Sequence, residues 1–122
     1  KAQTNRGEMP PDKKSEWVNF EIKGIYRHML KEEHFHISRL KNFLFILKSI
    51  QDDVDVMDFS PHSIAASIIS IELNSSVKIY THSEISKLTN VPEKEISESK
   101  PIVRLSWEQS PNYIPPEFGP QD

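Results

Sequence analysis

Three groups of side chains in this sequence have the types and spacing to do chemistry. The first is His34-Phe35-His36, with His28, Glu32 and Glu33 close by; imidazoles and carboxylates together can ligate a divalent metal. A His-x-His pair needs a second ligand pair at defined spacing to close a tetrahedral site. None follows, so the expectation is a polar helix exit and no metal site. The second group is Asp53, Asp55 and Asp58, hard oxygen donors of the kind that hold calcium. A calcium loop requires glycine at its sixth position and a bidentate Glu at its twelfth; counted from Asp53, those positions are Asp58 and Ile64. A solvated acidic loop before a helix start is the expected reading. The third group, Ser60, His62 and Ser63 with nearby acids, has the chemistry of an activated hydroxyl. Neighbouring positions on one helix do not set a nucleophile, a base and an orienting acid in line. Phosphate loops and nucleophile elbows need several glycines, and the chain has three in total. With zero cysteines, thiolate zinc sites, cysteine nucleophiles and disulfides are excluded together. No catalytic residue, metal or cofactor is expected, and the chain is read as a non-enzyme.

The elements that carry these groups must come from one core. In 122 residues, 36% hydrophobic and 27% charged, there is material for one domain with a polar flank. No apolar run approaches the roughly 18 to 20 residues that cross a bilayer, no signal-peptide pattern opens the chain, and a soluble intracellular protein is expected. The net charge of −3 gives no global attraction to nucleic acid or anionic lipid. Asn74-Ser75-Ser76 has the form of a glycosylation sequon and is read as a helix exit.

Helical periodicity organises the middle of the chain. Trp17, Phe20, Ile22, Ile25, Tyr26, Met29 and Leu30 predict a helix over about 16–31. Gly24 lies inside it, at a cost of up to about 1 kcal/mol relative to Ala unless another backbone packs there. Ile37, Leu40, Phe43, Leu44, Ile46, Leu47 and Ile50 predict a heavily buried helix over 37–50. A third begins at Ser60-Pro61, a favoured N-cap followed by a proline suited to the first helical position. Its Ile64-Ala65-Ala66-Ser67-Ile68-Ile69 centre mixes aliphatic bulk with small residues, as suits a helix that others surround. Thr81-His82-Ser83-Glu84 is a capping box opening a fourth helix over about 82–89. Pro92-Glu93-Lys94-Glu95-Ile96 opens a fifth, which Pro101 must kink or end. Ile102, Val103, Leu105 and Trp107 then form one more apolar turn or an extended packing segment.

The run from Asp53 through Phe59-Ser60-Pro61-His62-Ser63-Ile64-Ala65-Ala66-Ser67, with Tyr80-Thr81, Ile85, Leu88, Val91 and Ile96 after it, resembles the loop and central helix of a cyclin box and the helices that follow them. The same spacing is similar to the second cyclin-type repeat of transcription factor IIB, whose fourth and fifth helices form a helix-turn-helix. The resemblance covers residues 16–106. It implies an all-α, five-helix cyclin-like repeat with a central apolar helix and extended termini: a flexible segment over 1–15, the helical domain over 16–106 and a Pro-rich tail over 107–122.

The two relatives imply different work. A cyclin-type module binds protein, such as a kinase subunit, as a regulatory subunit or scaffold; no residue here matches the kinase-contacting signature of a first box. A factor IIB-like domain would contact TATA-binding protein, polymerase and promoter DNA. Either implies a nuclear location. DNA contact through the fifth helix would require Lys and Arg for phosphates, whereas that helix offers Glu93, Lys94, Glu95, Ser97, Glu98 and Lys100. The protein-binding reading is therefore preferred, and a basic strip elsewhere, drawn from Lys13, Lys14, Lys23, Arg27, Lys31 and Arg39, would revive DNA. Candidate partner-binding residues are Trp17, Lys94, Trp107, Tyr113 and Phe118; Trp17 and Trp107 are expected to pack on each other or on the core. The tail, with its prolines and aromatics, is expected to fold back along the domain as an extended strap, with docking on another protein as the alternative. Ser110-Pro111 has the minimal form of a proline-directed phosphorylation site. Ser60-Pro61 has the same form but is locked in a cap.

Overall fold

A computed structural model describes residues 11–32, 37–75 and 80–115. They form six helices: α1 (Pro11–Glu32), α2 (Ile37–Ile50), α3 (Val54–Met57), α4 (Pro61–Leu73), α5 (His82–Thr89) and α6 (Glu93–Glu108). No strand occurs among the described residues, and the chain is all-α.

The centre is α4. Ser60, in extended conformation, accepts a hydrogen bond from the Ser63 amide, and Pro61 takes the first helical position, where its missing N–H is no loss. Every residue from Ser63 to Ser70 is buried. The other five helices all touch α4, with α6 and α1 packed on it most extensively. Small side chains permit that close approach. Ser67 Oγ lies 2.6 Å from Ser99 Oγ of α6, and Ser99 donates to the Glu95 carbonyl at 2.8 Å.

Around this axis the expected helices form, with four differences. First, α1 starts at Pro11 rather than near residue 16, again with proline in a position where the helix has no amide bond to lose. Second, its buried stripe is Val18, Ile22, Ile25, Tyr26 and Met29, while Trp17, Phe20 and Leu30 stay 50%, 62% and 44% exposed. Val18, Ile22, Ile25 and Met29 repeat at steps of four and three, so they share one face. Trp17 and Phe20 fall on the other.

Third, the acidic segment after α2 is a short helix. Asp53 Oδ1 accepts from the Asp55 amide at 2.9 Å and caps α3, which buries Val56 and Met57. Fourth, α6 continues through Pro101 to Glu108, so of the kink or end expected at this proline, the end does not occur. Ile96, Ser99, Lys100, Val103 and Trp107 are all buried on it, keeping a helical repeat on both sides of the proline. Pro101 is exposed, so the carbonyl it orphans faces water rather than core.

The α4–α5 connection is closed by Asn74, whose Oδ1 accepts from the Tyr80 amide at 2.7 Å and whose Nδ2 donates to the Tyr80 carbonyl at 3.4 Å. Asn74 is 6% exposed, which leaves no room for a glycan. Thr81 and Glu84 form the expected capping box, and Asn90 ends α5 at φ 61°, a left-handed position that asparagine tolerates.

A candidate docking face and the clusters around it

Because α1 gives its 18-22-25-29 stripe to the core, the opposite side faces outward along its length. At 100° per residue that side carries Trp17, Phe20, Lys23, Arg27 and Lys31, all exposed. Trp17 and Phe20 meet edge to face, ring centroids 6.4 Å apart at 77°. Leu30 borders the cations, and Glu16 is the exposed acid nearest the aromatic end. The result is an aromatic pair at one end of a helix face and three cations at the other. Among the basic residues considered from sequence, Lys23, Arg27 and Lys31 do align as a strip. Arg39 does not belong to it, since its Nη1 donates to Glu72 of α4 at 3.0 Å, where Asn42 also donates at 2.8 Å. Lys14 is half-buried, and the side chain of Lys13 lies outside the described residues.

The remaining sequence candidates are not gathered here. Trp107 is 6% exposed, a core residue held edge to face between Phe45 at 6.0 Å and Tyr113 at 5.4 Å. It packs on these rings and not on Trp17. Such ring pairs are worth about 0.5–1.5 kcal/mol beyond the area they bury. Tyr113 reaches Trp107 because the chain after α6 turns back, and Asn112 Nδ2 donates to Ser49 Oγ of α2 at 3.3 Å. The described part of the tail is therefore a strap, as expected. Lys94 is exposed in the first turn of α6, about 20 Å along the helix from Trp107, so the two cannot form one contact. Phe118 lies outside the described residues, as do Glu33, His34, Phe35 and His36 with the metal reading they prompted. Among the described residues no group of three or more His, Asp or Glu is placed to hold a metal ion.

The Ser-His-acid group does assemble, in an arrangement unsuited to acyl transfer. Ser63 Oγ donates to Glu95 Oε1 at 2.8 Å, Ser60 Oγ donates to Ser63 Oγ at 2.9 Å, and His62 Nε2 lies 3.0 Å from Glu95 Oε1 and 3.3 Å from Ser60 Oγ. A relay needs the acid on one ring nitrogen and the hydroxyl on the other. Here Glu95 and Ser60 meet the same nitrogen. The cluster is a tie between the start of α4 and the first turns of α6.

That tie bears on α6 as a DNA helix. Glu95 is engaged with α4, and Lys100 is 6% exposed, leaving Glu93, Lys94, Ser97 and Glu98 on the outer side of its first half. His82, Lys100, Pro101 and Arg104 line a shallow cleft of about 280 Å³ where α5 and α6 meet.

Comparison with protein families, with characterised proteins and with solved structures finds no match to this chain. None of the described helices is long and apolar enough to cross a membrane.

Proposed function

We propose that the chain is a non-catalytic, cyclin-like protein-interaction module, a regulatory subunit or scaffold that docks a partner on the outer face of α1. The observation that carries this reading is the half-exposed Trp17–Phe20 pair followed by Lys23, Arg27 and Lys31. Two large aromatics held in water beside aligned cations suit a partner segment that combines apolar anchors with acidic side chains, since aromatic anchors supply affinity and rim charge supplies orientation and rate. The resemblance of residues 53–67 to a cyclin box, with a central helix touched by all the others, supports the scaffold side of the proposal. A kinase subunit or a component of the transcription machinery is the partner class that resemblance suggests, with a nuclear location.

A second reading, a factor IIB-like initiation domain, is favoured by one observation. α5 and α6 are joined by residues 90–92 alone, the short link of a helix-turn-helix. Against it stands the outer side of α6, where two acids accompany one lysine.

The experiment is recovery of partners from cell extract by mass spectrometry, with wild type and a Trp17→Ala, Phe20→Ala double variant. The double variant is expected to lose the partner while its helical circular dichroism and unfolding midpoint hold, because exposed positions contribute within about 0.5 kcal/mol. Undiminished recovery by the double variant would overturn the docking face. Salt-sensitive micromolar binding to duplex DNA would favour the second reading.

A further inference from the structure

The chain contains two serines followed by proline, Ser60 and Ser110, and the fold treats them in opposite ways. Ser60 is the N-cap of α4, its hydroxyl engaged with Ser63 and His62. Ser110 follows the end of α6 and is flanked by exposed Gln109, Pro111 and Asn112. Its amide donates to the Trp107 carbonyl, its carbonyl accepts from the Tyr113 amide, and its hydroxyl accepts from the Asn112 amide, each at 3.1 Å. Ser110 is thus the residue on which the chain turns back, setting Tyr113 against Trp107 and Asn112 against Ser49.

We infer that Ser110 is a phosphorylation site, for an ATP-dependent protein kinase that acts on hydroxyls followed by proline, and that its modification unseats residues 111–115 from Trp107. Ser110 Oγ attacks the γ-phosphorus of ATP, the bond from that phosphorus to the β-phosphate oxygen breaks, ADP leaves and the hydroxyl proton passes to the kinase's base. The product carries about −1.5 to −2 charge at neutral pH. That charge arises beside the last carbonyls of α6, the negative end of its dipole, where Glu108 is exposed and the last turn holds no basic residue. The group also replaces a small hydroxyl inside a tight turn. Opposing it are the edge-to-face Tyr113–Trp107 contact, the 3.3 Å Asn112–Ser49 contact and the 3.1 Å bond from the Tyr113 amide to the Ser110 carbonyl. With the tail released, Trp107 is uncovered beside Phe45, which is already 40% exposed, and the two form an apolar surface. The inference concerns the tail alone and stands whether or not α1 is a docking face.

The chain has two tryptophans, so a Trp17→Phe variant reports on Trp107 alone. Treated with a proline-directed kinase and ATP, it is expected to gain one phosphate at Ser110 and none at Ser60, by peptide mapping, and to show a several-fold rise in acrylamide quenching. Trp17→Phe with Tyr113→Ala should be strongly quenched beforehand and change little on phosphorylation; with Ser110→Ala it should stay unmodified and protected. Circular dichroism confirms that each variant is folded. No phosphate on Ser110, or phosphate with quenching unchanged, overturns the inference. A fall in quenching would also overturn it, because it would mean that a cation such as Lys48, next to Ser49, had captured the phosphate and tightened the strap.

Discussion

At the scale of single residues, hydrogen bonding separates side chains of identical type. Ser67 and Ser70 lie on the same helix, and both are fully buried. Ser67 Oγ has Ser99 at 2.6 Å, whereas Ser70 Oγ has no partner among the described residues. Removing a satisfied hydroxyl loses about 1 kcal/mol, while removing an unsatisfied one relieves a desolvation cost of about 1–3 kcal/mol. Alanine is also the better helix former. Ser67→Ala should therefore lower the urea midpoint and Ser70→Ala raise it. Equal shifts of the same sign would show that the Ser67–Ser99 bond does not hold α4 against α6. The sequence identified both as small residues in a core helix. It could not tell them apart, because the distinction lies in which residue of α6, some thirty positions away, arrives opposite each.

At the scale of elements, caps and periods were legible and interruptions were not. Ser60-Pro61 and Thr81–Glu84 set the starts of α4 and α5 from local chemistry that needs no tertiary partner. A helix end at Pro101 is the reading that fails, because proline's penalty is a property of the helix alone, of order 3 kcal/mol. Ile96, Val103 and Trp107, buried on either side of it, supply contacts that outweigh that penalty. Gly24 shows the reverse case. Its conformational cost stands unless another backbone packs there, and a Cβ built at Gly24 meets nothing within 4 Å. The glycine sits on the outer side of α1 with no steric demand for it. Gly24→Ala should stabilise the protein by about 0.5–1 kcal/mol, read as a higher urea midpoint at unchanged slope. No gain, or a loss, would mean that α1 is not continuous through residue 24. The outer face of α1 was itself half legible. Its aromatics and cations are visible as types, but the packing expected of Trp17 on Trp107 or the core does not occur, because Val18 fixes the buried stripe on the other side of the helix.

For the whole molecule, α4 is the element the others share, since α1, α2, α3, α5 and α6 each pack against it, and the fold is expected to unfold as one cooperative unit. A cavity in α4 is therefore shared by every other helix, whereas one at the periphery is not. Ile68 is fully buried, and Val54 of α3 is 70% exposed. Truncation of a buried isoleucine to alanine costs about 2–5 kcal/mol, a large part of the roughly 5–15 kcal/mol that holds a domain together. Val54→Ala should fall within about 0.5 kcal/mol of wild type. In a Trp17→Phe background Trp107 is the one tryptophan, and because it stands at the far end of α6 from the start of α5, its fluorescence reports a part of the molecule distant from much of the helical signal. With Ile68→Ala the two signals should move to lower denaturant together and remain superimposable, as a two-state transition requires. If the fluorescence transition stayed in place while the helical signal shifted, α6 and its strap would be unfolding independently of α4. The central helix would then not couple the other helices into one unit.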